Sequence, residues 1–515
     1  MRRYFGTDGV RGIAGEELTG PLASALGRIA ARLLCQKDSS AVPRLVIGRD
    51  TRASGSWLEE RLVAGIEAGG GTALLAGALP TPAVALLVRE LGADGGVVIS
   101  ASHNPPEYNG IKFFDAQGYK LSAEAEAQFE KELEADAALN AAHSGDGLPG
   151  SGGTSSSGGA SRSDAATGSG ETSRSDASTG SASGSSGSAS GPSGSASGSS
   201  GSASGSSGSA ATAIPDASER YIAHAVATVR DAGLDLVGLK VAVDCAHGAA
   251  FRATPEALRE LGAEVEAINT SYDGTNINVA CGSTNLGPIR RLVAQTEADI
   301  GLAHDGDADR LIAIDAEGRE IDGDFIEAIC AMDLKQRGLL AHNTVVSTVM
   351  CNLGFVRAMS EQGVKVLQTD VGDSNVLVAM REGGYILGGE QSGHMIFLEH
   401  NSTGDGLVTA LQLLAAMRRS GQPLHELARI MRKYPQTLIN IPVSDRDKAG
   451  LASSRAISAA VAEAKRRLSQ TGGGRVLLRP SGTEPLVRVM VEAFDEPVAQ
   501  REAKTLAELV KRELS

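Results

Sequence analysis

The chain has few aromatic residues: Phe, Tyr and Trp make up 3% of its 515 residues, with a single Trp. It has five cysteines, Cys35, Cys245, Cys281, Cys330 and Cys351, and no Cys-x-x-Cys pair. An odd, widely spaced set argues against a disulfide framework and predicts reduced, mostly buried thiols in a cytoplasmic protein. No run of about 18 apolar residues exists, so no transmembrane helix is expected. The opening MRRYFGTDG lacks the apolar core of a signal peptide. Positive charge is also short: 48 Lys and Arg stand against 62 Asp and Glu, a formal charge of −14. That balance speaks against nucleic acid as a partner. An anionic substrate must then be held by local Arg and Lys clusters against the overall field.

Glycine, by contrast, is abundant, with 64 residues, and much of it lies in Ser144 to Ala213. This tract of 70 residues holds 27 Ser, 18 Gly and no aromatic, and GSASGSS recurs within it. Such a composition buries too little apolar surface to offset its ordering entropy, so residues 144–213 are expected to be a disordered insertion. The remainder has ordinary globular composition and enough length for several cores.

Apolar runs that end in loops alternate with helical stretches over most of that remainder. LVIGRD, TALLAG and GVVISAS read as strands, and Trp57 to Ala68, Pro82 to Leu91 and Ala123 to Ala142 as helices. Strand, helix, strand at this spacing predicts a parallel, doubly wound sheet. The pattern resumes after the tract with a helix at Asp216 to Ala232, for which Asp216 is the candidate N-cap and Glu219 its capping-box partner. A third αβ segment follows from about Asp322. The last 80 or so residues, with strands TLINIPVS, RVLLRPSG and LVRVMVEAF and helices at Gly450 to Leu468 and Pro497 to Leu514, predict a small α+β unit with an antiparallel sheet.

Four segments carry chemistry. In Asp305-Gly306-Asp307-Ala308-Asp309-Arg310, carboxylates at alternate positions share one face of an extended segment. Three hard oxygen donors with small residues between them suit Mg²⁺, since bare carboxylates this close repel one another. Position six is Arg310 and position twelve is Ala316, so the loop is not an EF-hand. In Ser100-Ala101-Ser102-His103-Asn104-Pro105, a serine leaves the C-terminal end of a predicted parallel strand, where αβ active sites lie. It suits a nucleophile or phosphate carrier, and local sequence does not choose between Ser100 and Ser102. No Gly-x-Ser-x-Gly elbow is present, which argues against an α/β-hydrolase. In Gly388-Gly389-Glu390-Gln391-Ser392-Gly393-His394, Glu390 and Ser392 fall on one side of an extended loop, as bidentate binding of vicinal sugar hydroxyls requires, and His394 is a candidate proton carrier. Arg479-Pro480-Ser481-Gly482-Thr483-Glu484-Pro485, with Arg488 beyond, has the make-up of an anion nest. Arg11, Arg49, Arg52 and Lys112 are the remaining basic residues of note.

These motifs, with GTDGVRG at the start, resemble in content, order and spacing the α-D-phosphohexomutase superfamily, and within it the bacterial phosphoglucosamine mutase family. The resemblance covers all but the Gly/Ser tract. It implies an α/β fold of three similar doubly wound domains plus a C-terminal α+β domain around a central cleft. The boundaries are then 1–143 for the first domain, 214–321 for the second, 322–434 for the third and 435–515 for the fourth. It implies that Ser102 carries a phosphoryl group, that Asp305, Asp307 and Asp309 hold one Mg²⁺ that also touches Ser102, and that Arg11, Lys112 and His103 act beside the serine, with the proton carrier left open among Lys112, His103 and His394. Arg310, Glu390, Ser392 and His394 are then sugar-side contacts. Arg479, Ser481, Gly482, Thr483 and Arg488 form the phosphate loop. The implied reaction interconverts glucosamine 6-phosphate and glucosamine 1-phosphate through a hexosamine 1,6-bisphosphate, as an isomerase supplying amino sugar for the cell-wall precursor UDP-N-acetylglucosamine. The same chemistry on glucose or mannose phosphates is the alternative, and a non-catalytic phosphosugar-binding protein a more distant one. Partners are the phosphosugar and, at most, a second copy in a homodimer, with no nucleic acid and no membrane. One departure stands out: Val371-Gly372-Asp373-Ser374 has serine where the family most often has arginine.

Overall fold

The computed structural model describes residues 4–6, 9–35, 42–136, 211–448, 450–481 and 485–514. Most of the expected insertion therefore lies outside the described residues, as do Gly482, Thr483 and the stretch 137–142 expected to extend a helix.

The first sheet contains β1 (Val10–Ile13), β2 (Arg44–Arg49), β3 (Thr72–Ala78), β4 (Gly95–Ile99), β5 (Tyr108–Phe114) and β6 (Thr212–Ala213), in the order β1-β5-β4-β2-β3-β6. Helices α1 (Gly20–Leu33), α2 (Gly55–Ala68) and α3 (Thr81–Leu91) make the crossovers, and α4 (Ala123–Ala135) follows β5. Strands β2, β3, β4 and β6 are parallel, but β5 runs antiparallel to both β4 and β1. The sheet is thus mixed where a wholly parallel one was expected. The loop 100–107 is too short for the dozen or more residues that a parallel crossover needs, so the chain must turn back.

The second unit repeats this plan. After α5 (Ala217–Arg230), strands β7 (Lys240–Asp244), β8 (Glu264–Ile268), β9 (Ile300–His304), β10 (Leu311–Asp315) and β11 (Glu320–Ile321) are ordered β11-β10-β9-β7-β8, with α6 (Ala250–Glu260) and α7 (Gly287–Thr296) as crossovers. Strand β10 returns antiparallel to β9. The third unit has α8 (Gly323–Gln336), β12 (Thr344–Thr348), α9 (Leu353–Glu361), β13 (Lys365–Thr369), α10 (Asp373–Gly383), β14 (Leu387–Gly389), β15 (Met395–Phe397) and α11 (Gly406–Ser420), in the strand order β13-β12-β14-β15. Again β15 returns antiparallel to β14. Each unit therefore ends its parallel core in one antiparallel return. The connecting loops, 100–107, 305–310 and 390–394, are the three motifs after which the sequence changes direction.

Helix α11 is buried at every position from Gly406 to Met417 and packs on α5, α6 and α8. A helix apolar all round requires such enclosure. The last unit pairs β16 (Gln436–Pro442), β17 (Gly474–Pro480) and β18 (Leu486–Ala493) antiparallel in the order β16-β18-β17, backed by α12 (Arg455–Gln470) and α13 (Glu496–Glu513).

Three local expectations change. Thr212 and Ala213, assigned to the insertion, pair with Leu74 and Leu75 as an edge strand. Asp216 precedes α5 without capping it, because its carboxylate is taken by Arg220 at 2.9 Å, and Glu219 is drawn to Arg252 at 2.7 Å. The helix expected from Gly450 breaks at Ser454, whose hydroxyl accepts from the Ile457 N–H at 3.2 Å and so starts α12 as a new helix. Among the described residues, no helix is long and apolar enough to cross a membrane.

Candidate functional site

Both serines that the sequence left equivalent are buried, and their hydrogen-bond partners separate them. The Ser100 hydroxyl donates to Asp50 Oδ2 at 2.6 Å and accepts from the Ser102 N–H at 2.9 Å, so it is spent on the loop. Ser102 Oγ instead points out of the loop and donates to Asp305 Oδ2 at 2.6 Å. Ser102 has φ of +52°, a left-handed conformation costing about 1 kcal/mol or more for a residue with a side chain. Arg52 holds it there. Its fully buried guanidinium binds Asp50 Oδ2 at 2.8 Å and the carbonyls of Ser102 and Asn104 at 2.9 Å and Tyr108 at 3.0 Å, with Pro105 O as a further acceptor. Arg52 is thus a structural clamp and not a surface charge. Asn278 of the second unit donates to the same Ser102 carbonyl at 2.8 Å.

The acidic loop is a tight turn between β9 and β10, not the extended segment its spacing suggested. Ala308 has φ of +56°, and the turn gathers the carboxylates of Asp305, Asp307 and Asp309 within 4.8 Å of one another, all buried. Asp307 Oδ2 accepts from Lys112 Nζ at 2.8 Å and from Thr81 Oγ1 at 2.7 Å. Asp307 Oδ1 and Asp309 Oδ1 are buried without a hydrogen-bond partner. Burial, and after it the charges of Asp309 and Asp307, pushes the Asp305 carboxyl well up. Burial acts the same way on Asp309, but His394, Lys112 and Arg310 outweigh it and hold that carboxyl well down. Three converging oxygen donors with unfilled lone pairs fit a divalent cation.

Basic groups surround this centre. Lys112 also lies 3.9 Å from Asp309 Oδ2, and Arg310 Nε lies 3.7 Å from Asp309 Oδ1. His103 Nδ1 is 3.4 Å from Ser102 Oγ. Burial, followed by the nearby Arg310 and Arg11, lowers His103 to about 4, so it is neutral at pH 7. His394 is buried, with Nδ1 at 3.5 Å from Asp309 Oδ2 and Nε2 accepting from the Gly404 N–H at 3.2 Å. Burial lowers its pKa, but Asp309 and Asp373 raise it more.

In the sugar-loop motif, Ser392 Oγ donates to Glu390 Oε2 at 3.4 Å, and Glu390 Oε1 accepts from the Gly372 N–H at 3.2 Å. Gln391 turns the other way and donates to Asp324 Oδ2 at 3.0 Å, so its side chain is not offered to a sugar. The structure thus brings Ser102, His103, Arg11, Lys112, the three aspartates, Arg310 and His394 to one place, with Glu390 close enough to Arg310 to act on its charge. Arg479 and Arg488 form a separate pair, directly opposite each other on β17 and β18. Burial and then the Arg488 charge depress the Arg479 pKa. Like charges facing across a ladder are destabilising unless an anion lies between them. Ser481 is buried next to them, and Lys448 Nζ donates to its carbonyl at 2.9 Å.

Sequence patterning missed Thr81, Asn278 and Lys120, which ion-pairs with Asp373. None sits in a motif, and each contact spans 176 residues or more. Cys245, Cys281, Cys330 and Cys351 are buried, and burial raises all four thiols, Cys281 and Cys351 to about 12, so none of these is a poised nucleophile.

Comparison with known proteins agrees with this geometry. Models described as phosphoglucomutase/phosphomannomutase alpha/beta/alpha domains I, II and III match residues 2–140, 219–318 and 322–434, and the C-terminal domain model matches 438–509. The phosphoglucosamine mutase of Thermobifida fusca is 46% identical over 516 residues, covering 100% of this chain and 99% of that one. That of Alkaliphilus oremlandii is 43% identical over 515 residues, covering 100% of both. A phosphoglucomutase/phosphomannomutase family protein from Burkholderia thailandensis shares the fold, with a TM-score of 0.71 at 22% identity over 99% of this chain and 97% of that one.

Proposed function

The chain belongs to the phosphoglucomutase/phosphomannomutase family, and on that premise we propose how its residues interconvert glucosamine 6-phosphate and glucosamine 1-phosphate. The observation that carries the mechanism is Ser102 Oγ at 2.6 Å from Asp305, inside a trio of buried carboxylates with unfilled lone pairs.

Ser102 works as a phosphoserine. Its phosphoryl group passes to O1 of glucosamine 6-phosphate, forming an O1–P bond as the Ser102 Oγ–P bond breaks. The 1,6-bisphosphate turns over in the cleft. Its 6-phosphoryl group returns to Ser102 Oγ, and glucosamine 1-phosphate leaves. Phosphoryl transfer of this kind needs in-line positioning and charge neutralisation more than covalent help. Asp305, Asp307 and Asp309 would hold Mg²⁺, which supplies Lewis-acid stabilisation of the transferring group.

The chain's own residues do the rest. Arg52 and Asn278 fix Ser102 through its carbonyl. Lys112, anchored on Asp307, and Arg11 add positive charge beside the serine. His103, 3.4 Å from Ser102 Oγ, relays the proton of the attacking hydroxyl, its basicity lowered by burial in the bare protein and raised when a phosphate's negative charge stands beside it. Glu390 and Ser392 hold ring hydroxyls, and the Arg479–Arg488 pair grips whichever phosphate is distal. Because both phosphates use that one site in turn, the C-terminal unit must loosen and close again within each cycle.

The test is Ser102→Ala assayed with Mg²⁺ on glucosamine, glucose and mannose 6-phosphates. Wild type should show its highest kcat/KM on glucosamine 6-phosphate and a phosphate adduct on Ser102 that substrate discharges. Substantial turnover by the alanine variant would refute the phosphoserine mechanism. A preference for glucose or mannose would move the assignment to a sister activity.

A further inference from the structure

Gln391 donates to Asp324 Oδ2 at 3.0 Å, and the Asn352 N–H donates to the same oxygen at 2.7 Å. These donors belong to two different functional parts. Gln391 is the middle of the sugar loop. That loop lies hard against the start of α8: the Gly323 N–H donates to Gln391 O at 3.1 Å, and a Cβ on Gly323 would meet Glu390 O at 2.1 Å. Asn352 is the N-cap of α9, its Oδ1 accepting from the Gly354 N–H at 2.9 Å.

The same Asn352 side chain clamps Tyr434, the residue that leads into the C-terminal unit. It accepts from Tyr434 N at 2.8 Å and donates to Tyr434 O at 2.9 Å. One residue on, the Leu353 N–H donates to Glu492 on β18 at 3.2 Å. Glu492 in turn binds Arg475 on β17, the strand that carries Arg479. A path of direct contacts therefore runs from the sugar loop, through one carboxylate oxygen, to the strands of the phosphate grip.

We propose that Asp324 is a positioning residue that keeps the sugar loop and the seat of the C-terminal unit in register with each other, a proposal that rests on the sugar-phosphate reading of the site. Asp324 touches neither serine nor substrate. It acts by giving one acceptor to two loops that must close on opposite ends of the same small molecule. Its surroundings suit this task. It is buried among Asp322, Glu327 and Glu492, with Lys433 as the nearby cation. Burial and Asp322 push its carboxyl up to about 8, so near neutral pH the carboxyl largely keeps its proton and an asparagine is close to it in shape and charge.

The experiment compares Asp324→Ala, Asp324→Asn and Gln391→Met in the full chain with Mg²⁺. Two readouts are taken: KM and kcat for glucosamine 6-phosphate, and backbone hydrogen exchange. Asp324→Ala should raise KM about tenfold with a smaller change in kcat, as expected for a group that sets binding geometry. It should speed exchange both at 388–394 and at 431–436, and leave 98–104 unchanged. Asp324→Asn should stay within about twofold of wild type on both readouts, because its amide oxygen accepts the same two N–H groups. Gln391→Met should raise KM and speed exchange at 388–394. Should Asp324→Ala fail to fold, that third variant decides, and an unchanged KM overturns the proposal. It is also overturned if only one segment loosens in Asp324→Ala, or if Asp324→Asn is as impaired as Asp324→Ala. If wild type turns over none of the sugar phosphates, the functional assignment falls, while the exchange pattern still decides whether Asp324 joins the two segments.

Discussion

Adding a single methyl group at Gly306 tests how closely the serine and metal loops must approach. A Cβ there would sit 2.6 Å from Ser102 O and 2.8 Å from Asn278 Nδ2, where ordinary contact begins at 3.4 Å. Relief requires a displacement of about 0.8 Å if the methyl is to reach normal contact. The metal loop cannot retreat to provide it. Behind Gly306 the Ala249 N–H donates to its carbonyl at 2.8 Å, and Gly248 packs so tightly that its own Cβ would meet that oxygen at 2.3 Å. The strain must therefore fall on the Ser102 carbonyl, which Arg52 holds, and on the side chains of Asn278 and Ile277, and so disturb the Ser102–Asp305 contact. Gly306 does not have a positive φ, so its backbone accepts alanine, and the loss of unfolded-state freedom favours the variant by about 0.4–1 kcal/mol. Overpacking opposes this by roughly 1–3 kcal/mol, leaving a net destabilisation between about 0 and 2.6 kcal/mol. Catalysis is far more sensitive, since a misplacement near 1 Å costs on the order of 100-fold. Gly306→Ala should thus stay folded, with kcat for glucosamine 6-phosphate down about 30- to 100-fold and slow phosphorylation of Ser102 by intact mass. A kcat within twofold of wild type would show that the two loops have slack and that the 2.6 Å contact is not functional.

Three further outcomes follow from the same geometry. EDTA should abolish turnover and lower Tm, Mg²⁺ should restore both, and a protein as stable and active after chelation would remove the cation from the carboxylate trio. Replacing Arg479 or Arg488 by Met should raise KM for the sugar phosphate at least tenfold while leaving the slow hydrolysis of phospho-Ser102 unchanged, and an unaltered KM would dissociate the pair from phosphate binding. For Asp324 the folded-state carboxyl is raised above its unfolded value, so the stability gained from its proton is whole below about pH 4 and is lost progressively as pH climbs to about 8. Tm should therefore fall between about pH 5 and pH 8 more steeply in wild type than in Asp324→Asn, and equal slopes would contradict the assignment.

Much of the site was legible because its chemistry is packed into short runs. Asp305 to Arg310 announced three neighbouring carboxylates from composition alone, and the structure gathers them; Glu390 and Ser392 do lie side by side. What the sequence hid depends on the third dimension. The mixed sheets follow from hairpin loops too short for a crossover, and an apolar run such as Tyr108–Phe114 looks the same in either direction. Ser100 and Ser102 differ only in what reaches them, Asp50 in one case and Asp305 in the other. Gln391 sits between Glu390 and Ser392 in the motif, yet its side chain reaches Asp324 at the start of α8. Thr81 and Asn278 carry no local signal, since their partners lie 226 and 176 residues away.

The two-residue strand β6 has one more implication. Its residues close the far end of the Gly/Ser stretch, yet they pair with β3, which precedes that stretch. Thr51 and Ala53 likewise bond to His247 and Gly274, and Lys112 to Asp307. The chain could therefore be divided between Asp136 and Ala211 with every one of these contacts left to bring the halves together. The first piece would hold Ser102 and the second the three carboxylates that surround it. On the proposed mechanism neither piece alone would turn over substrate, so turnover would report the meeting of two polypeptides, a split reporter whose signal is a sugar phosphate.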